Sequence, residues 1–167
     1  MTGKPTFETI VAAHGPTVLR VCRAVVGTGE ADDAWSETFL SAMRAYPDLP
    51  ADANVEAWLV TIAHRKAIDI TRRTARNPIP MAAPPDAPGL VNAEELGHDA
   101  ELVAALKHLS PKQRQAVAYH YLGGLPYMEV AAVIGGNPNA ARRAAADGIA
   151  NLRRMYAPAS VEERTTR

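Results

Sequence analysis

The sequence predicts an all-α protein built from two small helical units, and three observations carry that reading. Apolar residues recur at three- and four-residue steps along several stretches, which is the period of one helix face. Hydrophobic residues make up 47% of the chain but aromatic ones only 5%, so the apolar mass is alanine, valine and leucine, which suits closely packed helices better than a β-sandwich. A proline-dense stretch with no hydrophobic period divides the chain near its middle, as a linker does.

Three amphipathic stretches fill the first half. The first is marked by Phe7, Ile10, Val11, Val18, Val21, Cys22 and Val25. His14 lies on its apolar stripe as a packed or boundary residue, and Gly15-Pro16 predicts a kink or a break there. The second runs from about Glu30 to Tyr46 with Trp35, Phe39, Ala42, Met43 and Tyr46 as its apolar set, and Pro47 stops it. The third, about Val55 to Arg76, turns Val55, Trp58, Leu59, Ile62, Ala63 and Ile70 inward and ends in Arg72, Arg73 and Arg76. Cations in a last helical turn complement the helix dipole, but Arg65 and Lys66 extend the positive charge two turns further back, beyond what an end effect needs.

Residues 77–97 carry Pro78, Pro80, Pro84, Pro85 and Pro88 and form the expected linker, semi-extended because of its prolines. In the second unit, 98–156, a helix bearing Leu102, Val103, Leu106 and Leu109 is followed by Ser110-Pro111, a cap and first-turn pair that starts a helix reaching Tyr121. Gly123-Gly124 turns the chain, and a short helix from Leu125 to Ile134 places Val130, Val133 and Ile134 inward. Gly135-Gly136 then makes a tight turn, and Asn137-Pro138 starts a last helix to Tyr156. A short helix, a glycine turn and a second helix outline a helix-turn-helix unit. Residues 157–167 are a tail.

Composition narrows the function. No run approaches the ~18 consecutive apolar residues of a membrane span, and Met1 to Pro5 lacks a secretory pattern, so a cytoplasmic protein without membrane insertion is expected. The single cysteine, Cys22, cannot close an internal disulfide and falls on the apolar stripe of the first helix, where burial is expected. Formal net charge is zero, which argues against non-specific coating of nucleic acid. The distribution is uneven, because residues 1–76 hold nine basic and nine acidic residues whereas 98–156 hold seven basic and four acidic. No His-Glu-x-x-His pair, phosphate loop, Gly-x-Ser-x-Gly elbow or cysteine pair occurs, and the one Glu-x-x-His, Glu95 to His98, stands alone at the linker's edge. The expectation is a protein with no catalytic residues, no metal and no cofactor, which works by binding.

Three blocks, in order and at matching spacing, resemble the extracytoplasmic-function (ECF) sigma factors of the sigma-70 family. The first is Glu30-Ala31-Asp32-Asp33-Ala34-Trp35-Ser36-Glu37-Thr38-Phe39-Leu40, and the second is Ala57-Trp58-Leu59-Val60-Thr61-Ile62-Ala63-His64-Arg65-Lys66-Ala67-Ile68-Asp69 with Arg72-Arg73. The third is Leu109-Ser110-Pro111-Lys112-Gln113-Arg114 followed by Tyr121-Leu122-Gly123-Gly124-Leu125-Pro126-Tyr127-Met128-Glu129-Val130-Ala131. The resemblance implies sigma region 2 over 1–76, which docks on core RNA polymerase and melts the promoter, and a region 4 helix-turn-helix over 98–156.

It further implies that Asp32, Asp33, Ser36 and Glu37 face the β-prime clamp helices of the polymerase. Arg65, Lys66, Arg72, Arg73 and Arg76 would hold the melted minus-ten strand, and Asn139, Arg142 and Arg143 would meet the minus-thirty-five element. The implied partners are core polymerase, through its clamp helices and β flap, promoter DNA, and an anti-sigma factor as a further candidate. Two departures stand out. Ser36 occupies a place where the family usually has glutamine, so weaker docking is expected. The recognition helix is alanine-rich, with Asp147 where a cation is common and Gly148 costing ~1 kcal/mol of helix propensity. An alternative therefore stays open, a sigma-fold co-regulator or decoy that binds polymerase or an anti-sigma factor without reading promoters strongly itself.

Overall fold

The computed structural model describes residues 3–76 and 93–156, with side chains in the second stretch from Ala100 onward. Among these residues every regular element is helical. The helices are α1 (Phe7–Val26), α2 (Ala31–Ala45), α3 (Val55–Arg76), α4 (Ala93–Leu106), α5 (Pro111–Val117), α6 (Tyr127–Ile134) and α7 (Pro138–Tyr156). The linker segment 77–92 lies outside the described residues, whereas the stretch from Ala93 to Gly97, read above as linker, already belongs to α4. The tail, 157–167, also lies outside them.

In the first unit α1, α2 and α3 close around one apolar cluster that includes Ile10, Val18, Cys22, Phe39, Leu59 and Ile70. Thr6 caps α1, its hydroxyl accepting from the Thr9 amide at 3.3 Å. The break expected at Gly15-Pro16 does not occur, and α1 runs unbroken through Pro16. The Gly15 carbonyl, next to the proline, accepts a hydrogen bond from the Trp35 indole at 2.9 Å, which ties α1 to α2. By length and composition α1 is also apolar enough to cross a membrane, but Ile10, Val18 and Cys22 are buried in the cluster with α2 and α3. Met43, counted among the inward residues above, is instead 51% exposed.

Ser110 caps α5, accepting from the Gln113 amide at 3.3 Å with Pro111 in the first turn. α5 continues into a π-helical turn, Ala118–Leu122, an irregularity that re-aims His120 and Tyr121. The tight turn before α7 uses Gly135 and Gly136 at φ +89° and +88°, a region L side chains rarely adopt. The Asn137 side chain then accepts from the Ala140 amide at 2.8 Å and caps α7. α7 lays Ala141, Ala145 and Gly148 on α5 so closely that a Cβ on Gly148 would stand 2.8 Å from a Val117 methyl. That glycine is therefore a contact requirement, and the propensity cost is offset by close approach of two helices.

The units touch each other. Val21, Ala24 and Val60 of the first join the cluster of Leu106, Tyr119 and Val130 in the second. His64, on α3, brings its Nδ1 to 2.5 Å from the Tyr119 hydroxyl across this contact. At the rim the Asn54 amide donates to the Glu129 carboxylate at 3.4 Å.

Candidate nucleic-acid interface

At about 100° per residue along a helix, Arg65, Arg72 and Arg76 line one stripe of α3 and Lys66 and Arg73 stand beside it. This face opposes the buried one of Leu59, Ala63, Ala67 and Ile70. Four of the five cations are exposed and Lys66 is half-buried. The structure thus puts Arg65, Arg72 and Arg76 on one outward stripe about 16 Å long at 1.5 Å per residue, with Lys66 and Arg73 on its flank. Asp69, also exposed, interrupts it with one carboxylate.

The predicted docking residues lie on α2. Asp32 and Asp33 are exposed in its first turn, where the helix dipole favours carboxylates. Ser36 is exposed and Glu37 half-buried. Glu37 does not stand free, because Arg73 reaches it at 3.2 Å, and Glu30 likewise accepts from the Thr74 hydroxyl at 2.6 Å. One residue assigned to polymerase and one assigned to DNA are therefore each other's partner. With the two side chains 64% and 37% exposed, such a pair contributes about 0–1 kcal/mol. Sequence reading missed Leu40 and Met43, which share the outward stripe of Asp33 and Glu37 and are 52% and 51% exposed. They add exposed apolar surface beside the carboxylates of α2.

On α7, Asn139, Arg142 and Arg143 are all exposed. Arg142 donates to the Asn139 side-chain oxygen at 3.3 Å, and its guanidinium lies 5.2 Å from the centre of the Tyr127 ring at the start of α6. The other face of that ring is stacked on His120 at 3.9 Å and 14°. His120 in turn donates through Nδ1 to the Leu125 carbonyl at 2.8 Å. Asp147 is exposed one turn beyond Arg143.

Three buried groups have shifted protonation. Burial pushes the Cys22 thiol up to about 12, so it stays protonated and packs as a small apolar group. Burial chiefly, with Cys22 nearby, raises the Tyr119 phenol. Burial first and the positive Arg65 second lower His64. With the phenol held protonated, its hydroxyl donates to a neutral His64 ring.

Two helical units, one with a cationic helix end and one with a helix-turn-helix outline, have the form of a DNA-binding protein. The model of sigma-70 region 2 matches residues 10–77 and that of sigma-70 region 4 matches residues 99–152. The chain is 29% identical over 166 residues to RNA polymerase sigma factor CarQ of Myxococcus xanthus, covering 93% of this chain and 92% of CarQ. It is 30% identical over 132 residues to ECF sigma factor SigC of Mycobacterium tuberculosis, covering 77% of this chain and 71% of SigC. ECF sigma factor SigE of Mycolicibacterium smegmatis is 32% identical over 141 residues, covering 78% of this chain, which spans 54% of SigE. Among solved structures, RpoE of Bartonella quintana, in complex with the anti-sigma factor NepR, superimposes with TM-score 0.71 at 18% identity over 92% of this chain and 98% of that one. CnrH, in complex with the cytosolic domain of CnrY, gives 0.68 at 24% over 92% and 89%. These two likenesses concern the fold. The chain belongs to the ECF sigma factors of the sigma-70 family.

Proposed function

We propose that this chain joins core RNA polymerase and directs it to promoters, with α2 docking on the clamp helices, α3 holding the melted minus-ten strand, and α7 meeting the minus-thirty-five element. The observation that carries this reading is the outward stripe of Arg65, Arg72 and Arg76 on α3, with Lys66 and Arg73 on its flank. Flipping and unstacking a base costs a few kcal/mol, which contacts to the single strand must recover. A protein-binding module has no use for five cations in that place.

The two promoter elements are centred about 25 base pairs apart, roughly 85 Å at 3.4 Å per base pair. In this structure α3 and α6 touch at Asn54 and Glu129. Simultaneous reading therefore requires the units to part, and a linker of 16 residues, 77–92, spans at most ~55 Å when extended. The remaining distance falls to the units themselves.

The chain needs no catalytic residue for this work, since the polymerase supplies the chemistry, and it acts in the cytoplasm beside that enzyme. An anti-sigma factor fits as a further partner, because RpoE of Bartonella quintana, which shares this fold, is solved in complex with the anti-sigma factor NepR. Run-off transcription with purified core polymerase on a genomic promoter library tests the proposal. Promoter-specific products that need this chain support it. Stable binding to core without any product selects the decoy reading, which the sparse cations of α7 favour.

A further inference from the structure

Resting on the promoter-reading function just proposed, we infer that Arg142 is the base-reading residue of α7, selecting a guanine, and that Tyr127 is the positioning residue that aims it. Arg142 and Arg143, the arginines in the first turns of α7, are adjacent in sequence but unlike in setting. Arg142 is held from two sides, by the Tyr127 ring at 5.2 Å and the Asn139 side chain at 3.3 Å. Arg143 is exposed and makes no such contact.

A guanidinium presents a planar fork that matches the two major-groove acceptors of guanine, O6 and N7. The fit requires a fixed orientation, and a side chain already restrained loses less freedom when it binds. Arg142 is the fifth residue of α7, within the N-terminal part of a recognition helix that reaches base edges. The unrestrained Arg143 suits a phosphate, which accepts a cation from many directions.

Tyr127 is itself braced. His120 stacks on it at 3.9 Å, and the π-helical turn Ala118–Leu122 brings His120 there, its Nδ1 anchored on the Leu125 carbonyl at 2.8 Å. An attractive cation–π contact of this kind orients more than it binds.

The test uses the full chain bound to core polymerase and a duplex library degenerate over the upstream element. Wild type should enrich a position occupied by guanine, and replacing that guanine by 7-deazaguanine, which lacks N7, should lower binding about tenfold. Arg142→Met, which keeps the stem but has no donor, should lose the guanine preference by a similar factor and be indifferent to the deaza substitution. Tyr127→Phe, which keeps the ring, should retain the preference. Tyr127→Leu, which keeps apolar volume without a ring, should lose most of it while affinity for unselected sequence stays unchanged. A merely structural tyrosine would instead lower binding to all sequences alike. Arg143→Ala should weaken binding to every sequence and reduce the salt slope by about one. Guanine preference that survives Arg142→Met, or that Tyr127→Leu leaves intact, overturns the inference while leaving the sigma function standing. Failure of the wild-type complex to yield any run-off product overturns both.

Discussion

The first unit packs large rings against one another, whereas the second brings two helices, α5 and α7, together through small side chains. Phe7, Trp35, Phe39, Tyr46 and Trp58 meet edge-on or tilted, Trp35 and Phe39 with centroids 4.7 Å apart. In the second, Ala116, Ala118, Ala141, Ala145 and Gly148 let α5 and α7 approach closely, around one buried ring, Tyr119. The outer faces differ in the same sense. α3 presents five cations, while α7 presents alanines between two arginines near its start and two, Arg153 and Arg154, in its last turn. A core of rings loses stability when side chains shrink, and a core of small residues loses it when they grow.

The largest expected effect is therefore in the first unit. Phe39→Ala, at a site 6% exposed, should destabilise it by about 3–5 kcal/mol in urea unfolding. A loss under 1 kcal/mol would show that the ring cluster is dispensable.

The contact between the units should respond to pH. His64 is lowered by burial and by Arg65, so the closed form binds fewer protons than the open one between the lowered value and the ordinary 6.5. Its contribution is fully present above pH 6.5 and declines as pH falls below that, by up to ~1.4 kcal/mol per pH unit. Small-angle scattering should show the radius of gyration rising between pH 7.5 and 5.5 with helicity retained, and His64→Gln should flatten the response. Equal dimensions across that range would mean that the pair does not hold the units together.

A smaller effect is expected at Gly148. Adding a methyl 2.8 Å from Val117 overpacks by about 1–3 kcal/mol, against a propensity gain of ~1 kcal/mol, so Gly148→Ala should cost about 1 kcal/mol net. A gain in melting temperature would contradict the close approach. Smallest is the Arg73–Glu37 pair, whose double-mutant coupling should be about 0.5 kcal/mol and fall with salt.

Much of this was legible in the sequence. The bounds of α3 and the caps at Ser110 and Asn137 follow from apolar spacing and cap chemistry. Cys22 is buried where its spacing placed it. The continuous α1 was not legible, because local proline chemistry could not reveal that Trp35, twenty residues on, binds the Gly15 carbonyl. Gly148 read as a cost because propensity counts one helix, and its benefit exists only between two. The cations of α3 were all found, but their entanglement with α2 through Glu37 was not, since pairing across helices leaves no periodic mark. His64–Tyr119 and the Tyr127 brace were missed for the same reason, joining residues 55 and 15 apart across a fold.

The central claim is that α3 opens DNA while α2 holds the polymerase. Because Arg73 is tied to Glu37, Arg72→Ala with Arg76→Ala separates the two tasks more cleanly than a change at Arg73. The decisive measurement is permanganate reactivity of promoter thymines in complexes of core polymerase with wild type and with this double variant, scored beside co-purification with core. The account predicts that reactivity falls at least tenfold while co-purification is unchanged. Undiminished reactivity in a folded variant would assign these arginines to the helix end and contradict the account.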